Sequence, residues 1–258
     1  MPAHKVVSEK EWIAARKLLL EKEKTLTRMS DQLSAERRAL PWVKVEKSYV
    51  FEGARGKQSL AELFGGRSQL FVYHFMFGPD WGQGCPSCSF FADHIDGPNL
   101  HLKHHDVSVV VVSRAPWSKI ETFKRRMGWH FKWVSSHGSD FNFDHNVSFT
   151  PEQEAKGKVT YNFEAMDYMF DELPGLSVFY KDGKGDIFRT YSAYARGGDI
   201  LLGANNFLDM TPKGRNETEG MDWVRHHDRY DAPEEDGSCC AGESDPISEM
   251  RRELVKAR

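Results

Sequence analysis

The chain has 258 residues, of which 40% are hydrophobic and 28% are charged, and its net charge is -3. This composition is typical of a globular protein of one or two domains, and its weak acidity gives no electrostatic surface for nucleic acid. No apolar stretch approaches the roughly 20 residues that cross a bilayer, and the N-terminus lacks an apolar secretory core, so we expect a cytoplasmic protein without a membrane partner.

The first predicted element is an amphipathic helix over residues 8–38. Its apolar side chains keep a rough helical spacing, with charged residues between them. Ser8 and Glu11 are placed to form a capping box, and Pro41 ends the segment. We expect this helix to lie across the main domain, while a coiled-coil partner, and with it a homodimer, remains an alternative.

The next segments alternate between strand and helix patterns. Apolar runs too short for a membrane helix and rich in strand formers predict strands that are buried on both faces. In chain order we predict a hairpin and helical turn over 48–64, a strand over 69–77, a helix-like segment interrupted at 96–98, a strand over 107–113, a helix over 115–129 and a strand over 131–136.

The second half of the chain begins with a turn-rich stretch, 137–172, in which we expect little regular structure beyond one short strand. A strand, turn and strand over 173–192 and a last helix within 199–209 follow. Alternating strands and helices closed by a hairpin predict an α/β fold, a thioredoxin-like three-layer sandwich with a central mixed sheet flanked by helices. The predicted division is an N-terminal helical extension over 1–45, a thioredoxin-like domain over 46–210 and a partly flexible C-terminal extension over 211–258.

A cysteine pair, Cys85 and Cys88, falls just after the first central strand, where open α/β sheets place their active sites. Pro86 suits the first position of a helix, so Cys85 would be the cap residue with an exposed, acidified sulfur and Cys88 would be shielded one turn in. This arrangement predicts a thiol-disulfide oxidoreductase in which Cys85 attacks and Cys88 resolves the mixed disulfide. Ser87, the other intervening residue, helps to set the stability of the reduced form.

Other readings of the pair stay open. A zinc half-site would need a second pair of ligands, and the remaining cysteines, Cys239 and Cys240, are adjacent to each other in a polar tail. A peroxiredoxin-like thiol peroxidase would carry a proline seven residues before the attacking cysteine and Thr or Ser three before, where this chain has Gly78 and Gly82. A non-catalytic redox-sensing or metal-holding module is a further alternative.

Three residues outside the motif are candidates for supporting roles. Trp81 would form a rim for a docking peptide or small thiol, and Asp80 would accept or relay a proton. Pro174 is expected to be a cis-proline that begins the strand facing the cysteines, as in thioredoxin-like proteins. The alternatives are that Trp81 only fills a gap in a glycine-rich loop and that Pro174 is an ordinary trans residue.

The sequence also resembles a known family. The stretches that carry the likeness are "YVFEG", "LAELFGGRSQLFVYHFMFGPDWGQGCPSCSFFADHIDG", "RMGWHFKWVSSHGSDFN", "LPGLSVFYKDG", "TYSAYARGGDILLGANNFLDMTPKGR" and "RHHDRYD". They are similar to a bacterial family of uncharacterised thioredoxin-like proteins, catalogued as a domain of unknown function and often labelled predicted dithiol-disulfide oxidoreductases. The resemblance covers roughly residues 8–232, implies a thioredoxin-type fold and carries the two-cysteine motif onto Cys85 and Cys88.

The expected partners follow from this chemistry. We expect a disulfide-containing protein or a small thiol as substrate and a reductant of unknown identity, with no cofactor and no metal. The histidine cluster of His101, His104 and His105 is expected to be a solvated polar face of a helix, although two of these residues lie four apart, as in some zinc sites.

Overall fold

The protein is described here by a computed structural model that covers residues 4–218 and 220–231. The described residues before Val43 form one compact unit, and those from Val43 onward form a second. Within these ranges, no helix combines the length and the apolar character that a membrane crossing requires. Cys239 and Cys240 lie outside the described residues.

The first unit is built on one long helix, α1 (Glu9–Ala39). Its start is fixed by the predicted capping box, in which the Ser8 N–H donates to the Glu11 carboxylate at 3.0 Å and the Glu11 N–H donates to Ser8 Oγ at 3.4 Å. These two bonds satisfy amide groups that have no partner within the helix, and the prediction of the capping box is confirmed.

The described part of the second unit contains ten strands. In chain order they are β1 (Val43–Lys44), β2 (Val50–Gly53), β3 (Gly56–Ser59), β4 (Gln69–His74), β5 (Val107–Ser113), β6 (Lys132–Ser135), β7 (Lys158–Tyr161), β8 (Glu164–Asp167), β9 (Gly175–Lys181) and β10 (Ile187–Tyr194). Eight of them form one sheet in the order β1-β10-β9-β4-β5-β6-β2-β3, and β7 pairs with β8 in a separate hairpin.

Short helices connect these strands. They are α2 (Leu60–Leu63), α3 (Pro86–Ala92), α4 (Asp96–His104), α5 (Trp117–Arg126), α6 (Phe141–Asp144), α7 (Pro151–Lys156) and α8 (Gly203–Asp209), with 3-10 turns at Ala195–Leu201 and His227–Arg229. The crossover from β4 to β5 runs through α3 and α4, and the crossover from β5 to β6 runs through α5. These crossovers make β4, β5 and β6 parallel.

The sheet separates two apolar cores, because side chains alternate between its faces. On β4, Phe71 and Tyr73 face the core that contains the cysteines, while Leu70 and Val72 face the core under α2. Both faces of β4 and β5 are therefore covered, which explains their nearly unbroken apolar sequences. Helices on both sides of a mixed sheet, with β9 antiparallel to β4 and β10 antiparallel to β9, make this a thioredoxin-like fold, as predicted.

Two local expectations differ from the structure. The "DGP" stretch at 96–98 forms the first turn of α4, and the helical path breaks just before it, after Ala92. The stretch 137–172 is more regular than expected, because it holds α6, α7 and the β7–β8 hairpin. The turn of that hairpin places Asn162 at φ 50° and Phe163 at φ 68°. Its dipeptide lacks the glycine that normally marks such a turn, so the second strand carried no signal in the sequence.

Candidate active site

The cysteines lie where the chain leaves β4 and enters α3. Cys85 is the N-cap residue of α3 and Pro86 is its first residue, as the sequence predicted. The Cys85 N–H donates to the Met76 carbonyl at 3.1 Å, which ties the start of the helix to the extended chain after β4. Cys88 follows three residues later, so it lies about one helical turn into α3.

Glycine is required just before this junction. A Cβ atom on Gly84 would lie 2.6 Å from the Phe75 ring and 2.9 Å from the Phe123 ring, which is closer than real Cβ atoms approach. The two aromatic rings therefore pack directly against the backbone of residue 84. This close packing sets the path by which the chain delivers Cys85 to the helix.

Both cysteines are buried. Cys85 exposes 0% of its surface and Cys88 exposes 2%, and no disulfide joins them. Cys88 is shielded as predicted, but the prediction that Cys85 is exposed is wrong. That prediction was based only on the strand and the helix. Residues after β10 also pack against this side of the domain and line the space beside the two sulfurs.

The Cys88 sulfur has three hydrogen-bonding neighbours. The Met76 N–H donates to Cys88 Sγ at 3.5 Å, and the side chains of Tyr73 and Cys85 are also hydrogen-bonded to it. Burial raises the pKa of Cys88 well above its ordinary value, and the contact with Cys85 raises it further, while Tyr73 and Met76 act in the opposite direction. Burial is the largest of these effects, so Cys88 is held as a thiol.

Tyr73 is a site residue that sequence reasoning missed. It is 3% exposed, and burial raises its pKa well above 10, with the two cysteine sulfurs adding to that shift. The phenol therefore stays protonated and acts as a hydrogen-bond donor. An aromatic residue inside a strand normally indicates core packing, and only the tertiary structure brings its hydroxyl to Cys88.

A cavity of about 150 Å³ borders both cysteines. Its walls are mostly apolar, and they are formed by α3, β9, the end of β10 and the chain that follows β10; the lining residues include Tyr73, Met76, Phe91, Pro174, Leu176, Ala193, Leu202 and Met221. Ser87 also lines the cavity, and its buried Oγ has no hydrogen-bond partner among the described residues. The space beside the sulfurs is thus apolar, with an unsatisfied hydroxyl on its wall.

Pro174 lines this cavity at the start of β9, but its peptide bond is not cis. Every peptide bond among the described residues is trans, so the expected cis-proline is wrong. The Pro174 carbonyl accepts a hydrogen bond from the Tyr161 hydroxyl at 2.7 Å, and the same hydroxyl accepts from the Ala195 N–H at 2.9 Å. The segment before β9 is therefore held by the β7–β8 hairpin, with Pro174 beside the cavity.

Trp81 and Asp80 lie in the loop before the cysteines and are not among the residues that line the cavity. Asp80 is exposed, and Trp81 is half-buried against the core, with its indole hydrogen-bonded to the Asp171 carboxylate. Gly78 fits between these partners, because a Cβ there would lie 2.8 Å from the indole nitrogen. The roles of Trp81 and Asp80 in substrate handling remain predictions.

A buried carboxylate that the sequence did not reveal lies two residues before Pro174. Glu172 is 1% exposed, accepts a hydrogen bond from Ser148 at 2.7 Å and lies 3.0 Å from the Arg114 guanidinium. Burial raises the pKa of Glu172 to about 8, against the opposing effects of Arg114 and Ser148. Glu172 therefore favours its protonated form at neutral pH.

A C-terminal strap, residues 221–230, packs across α3 and α5. His226 Nε2 lies 2.9 Å from the Gly84 carbonyl oxygen, and Asp228 accepts two hydrogen bonds from Arg126 at 2.7 and 2.9 Å. His227 Nδ1 lies 2.7 Å from the Asp93 carboxylate at the end of α3. The strap thereby contacts the loop that leads into Cys85 and the far end of the cysteine helix.

The histidine cluster lies away from the sulfurs. His101 and His104 are in the last turn of α4 and His105 caps it, and all three side chains are exposed. Across the described residues, no group of three or more His, Cys, Asp and Glu side chains is arranged to hold a metal ion. His74 is buried on the opposite face of the sheet, with Nε2 2.9 Å from Ser177 Oγ, so it does not reach the cysteines.

These features define a class of protein: a thioredoxin-fold domain whose central strand leads into a helix that begins C-P-S-C. The chain belongs to the family described as "Bacterial protein of unknown function (DUF899)", which matches residues 1–230. The family resemblance read from the sequence is thereby confirmed. No curated protein matches the chain.

Solved structures with a similar chain path include a peroxidoxin, BcpB, from Mycobacterium tuberculosis, at 14% identity and a TM-score of 0.37, covering 64% of this chain and 94% of that one. A thiol:disulfide interchange protein from Bacteroides sp. has 14% identity and a TM-score of 0.39, covering 68% and 95%. A putative thiol:disulfide interchange protein DsbE from Chlorobium tepidum has 11% identity and a TM-score of 0.39, covering 65% and 94%. These likenesses are too distant to carry over an activity.

The buried Glu172 makes the stability of the domain depend on pH. Its pKa rises from the ordinary 4.5 to about 8 on folding, so the folded state binds more protons than the unfolded state between these values. We therefore expect this residue's contribution to the free energy of unfolding to fall as pH rises from about 5 to 8, by at most about 1.4 kcal/mol per pH unit. Glu172→Gln should flatten that slope in urea titrations.

The matched control for this prediction is Glu62→Gln. Glu62 is fully exposed, and its hydrogen bonds to Ser59 lower its pKa, so it is already ionised across this pH range in both states. The slope should not change in this variant. An unchanged slope in Glu172→Gln, with normal folding, would show that the Glu172 carboxyl is ionised in the native domain.

Proposed function

We propose that this protein is an enzyme, a thiol-disulfide oxidoreductase that uses Cys85 as the nucleophile and Cys88 as the resolving thiol. The observation that carries the proposal is that the two cysteine side chains are hydrogen-bonded to each other beside a cavity. Two thiols that interact directly at the start of a helix are candidates to form a disulfide with each other. This contact distinguishes a dithiol couple from two cysteines that merely share a core.

The roles of the two sulfurs follow from their surroundings. Cys85 is the N-cap of α3, where backbone amides favour a negative charge. Cys88 lies one turn inside α3, away from these amides; burial, which both sulfurs share, raises its pKa, and the contact with Cys85 raises it further. Cys85 is therefore the first nucleophile. Cys88 remains a thiol until the mixed disulfide forms on Cys85, and it then attacks that disulfide.

The reaction balances as two successive exchanges. The Cys85 thiolate attacks one sulfur of a substrate R–S–S–R, a Cys85–S–S–R bond forms, and RS⁻ leaves and takes the Cys88 proton. The Cys88 thiolate then attacks the Cys85 sulfur, the second RS⁻ leaves and takes a proton from water, and the Cys85–Cys88 disulfide forms. Two electrons pass from the dithiol to the substrate, and an external dithiol reductant must return them.

Tyr73 and Met76 supply the stabilisation that the second exchange needs. Cys88 must lose its proton inside an apolar site, and the Tyr73 hydroxyl and the Met76 N–H both favour its thiolate. The site therefore opposes the ionisation of Cys88 by burial and compensates for part of that cost with two fixed donors. A reducing compartment such as the cytoplasm would keep both thiols reduced, and we expect the protein to act there.

The direct test uses the full chain with Cys239 and Cys240 both changed to serine, so that all thiol chemistry comes from the proposed pair. We expect catalysed reduction of a small disulfide by dithiothreitol, which falls to the uncatalysed rate in Cys85→Ser. In Cys88→Ser the attack stops after the first exchange, so mass spectrometry should detect a stable mixed disulfide on Cys85.

Three results would contradict this proposal. One is the absence of a mixed disulfide in Cys88→Ser together with retained turnover in Cys85→Ser. A second is Cys85-dependent consumption of hydrogen peroxide at rates well above those with any disulfide, which would indicate a thiol peroxidase. A third is one zinc ion per chain in the purified protein, lost on mutation of Cys85, which would indicate a metal-holding module.

We expect Tyr73→Phe to slow the resolving step. A hydrogen bond to a charged group contributes about 1.5–3 kcal/mol, so removing the hydroxyl should slow the Cys88 attack by about 10–100-fold and raise the pKa of Cys88 further. Rapid-quench mass spectrometry of the mixed disulfide that Cys85 forms with a short dialkyl disulfide, followed against pH, measures both quantities.

Tyr49→Phe is the matched control. Tyr49 is 7% exposed on the other face of the sheet and donates its hydroxyl proton to the Asp144 carboxylate at 2.8 Å, so this variant also loses a partly buried hydrogen bond. It should leave the pH profile of resolution unchanged. A Tyr73→Phe profile that overlays the wild type would exclude the hydroxyl from any role in resolution.

A further inference from the structure

We propose that the substrate of this dithiol is a small, uncharged, apolar disulfide, which the cavity beside Cys85 and Cys88 admits in preference to a protein disulfide or a charged one. This inference rests on the proposed function and adds a substrate class to it. It is carried by three observations: the size of the cavity, the nature of its walls and the arrangement of charges around it.

The cavity volume limits the substrate first. A cavity of about 150 Å³ borders both cysteines. An engineered apolar cavity of about this size in another protein binds benzene or xenon, so ligands of about six non-hydrogen atoms fit such a space. A short dialkyl disulfide fits this limit. Most of a glutathione-sized disulfide would have to lie outside this space.

The walls of the cavity favour apolar groups. Tyr73, Met76, Phe91, Leu176 and Leu202 present apolar surface to it. Alkyl groups that enter this space leave water. Each methylene buried in this way raises the affinity roughly fourfold. Only a group without its own hydrogen-bonding needs gains from such walls.

The burial of the two sulfurs opposes a protein substrate. Cys85 exposes 0% of its surface, so a disulfide on a folded partner could reach it only if the covering chain moved away. The chain on this side of the cavity includes the 3-10 turn at Ala195–Leu201 and, further on, Leu202, Gly220 and Met221. The Cys85 sulfur must also be uncovered for a small molecule, but a molecule inside the cavity needs no docking of a second protein surface.

The two guanidinium groups at the cavity already have carboxylate partners. Arg196 Nε lies 2.6 Å from the Asp199 carboxylate, and Arg215 binds the Asp209 carboxylate through Nε at 2.8 Å and a terminal nitrogen at 2.7 Å. Glu217 accepts a hydrogen bond from the Met221 N–H at 2.7 Å. The guanidinium groups are thus neutralised within the protein, and a carboxylate on a substrate would have to compete with these acidic partners.

The wall of the cavity also offers a hydrogen-bond donor. The Ser87 hydroxyl is buried, lines the cavity and lacks a partner among the described residues. It lies between the two cysteines in the sequence. A hydroxyl in this position is suited to donate a hydrogen bond to the sulfur that leaves as RS⁻ in the exchange described above. As in that exchange, the external dithiol reductant returns the two electrons to Cys85 and Cys88.

The experiment measures kcat/KM for a series of substrates with dithiothreitol as the reductant. The series runs through dimethyl, diethyl, dipropyl and dibutyl disulfide and is compared with glutathione disulfide and insulin. We expect the short dialkyl disulfides to be preferred over glutathione disulfide and insulin, with a fall of about tenfold or more between the best member and the dibutyl compound.

Two variants test the cavity itself. Leu202→Ala removes apolar volume from the wall, so it should move the length limit toward the longer disulfides. Ala193→Val adds volume at a strand position that tolerates a β-branched residue, so it should reject the longer members first. The two variants should shift the preferred alkyl length in opposite directions. Either variant alone therefore tests the cavity if the other does not fold.

The matched control is Leu60→Ala, which removes the same side chain from the core on the other face of the sheet, at similar burial. It should lose stability in a thermal melt without any change in the order of substrates. Equal or higher kcat/KM with insulin or glutathione disulfide, or no dependence on alkyl length, would overturn the substrate class while leaving the oxidoreductase intact. Loss of Cys85-dependent turnover with every disulfide would instead overturn the proposed function.

Discussion

The candidate site depends on a conflict between burial and hydrogen bonding at one sulfur. The apolar surroundings of Cys88 oppose a negative charge, and two fixed donors, the Tyr73 hydroxyl and the Met76 N–H, partly offset that opposition. In a polar setting the same donors would add little, since water would supply the hydrogen bonds. In this interior they are directed at the atom that becomes charged in the proposed reaction.

The central strand β4 and the chain that follows it bring the two donors to the buried Cys88 sulfur. Tyr73 is on the face of β4 that packs against α3, and Met76 follows in the extended chain that accepts the Cys85 N–H. One continuous segment therefore provides the phenol, the amide donor and the anchor for the start of the helix. A change in the register of β4 by one residue would turn the phenol to the opposite core.

Sequence reasoning reached the elements that local chemistry determines. The capping box of α1, the bounds of β5 and the start of α3 at Pro86 all follow from residue types at fixed spacings. It failed where the determining contact joins distant parts of the chain. His226 meets the carbonyl of Gly84 across 142 positions, and no local pattern announces that residues after the last strand cover the cysteine helix.

Glu172 illustrates a second limit. Its surrounding sequence is that of an acidic turn, and acidic residues are usually exposed. It is buried because Arg114, at the end of β5, and Ser148, before α7, converge on it from separate segments. The burial of an ionisable group is a property of three chain segments together, so it could be found only once their arrangement was known.

Residues that line the cavity also set the properties of Cys88, so the proposed substrate preference and the proposed reactivity are coupled. Tyr73 both lines the cavity and donates to Cys88, and the apolar surroundings that would accept an alkyl group also raise the pKa of Cys88. A more polar cavity would admit charged disulfides, but its water would solvate the Cys88 thiolate and weaken the control that burial exerts. Under the proposed mechanism, a change that broadened the range of substrates would therefore also change which thiol is ready to react.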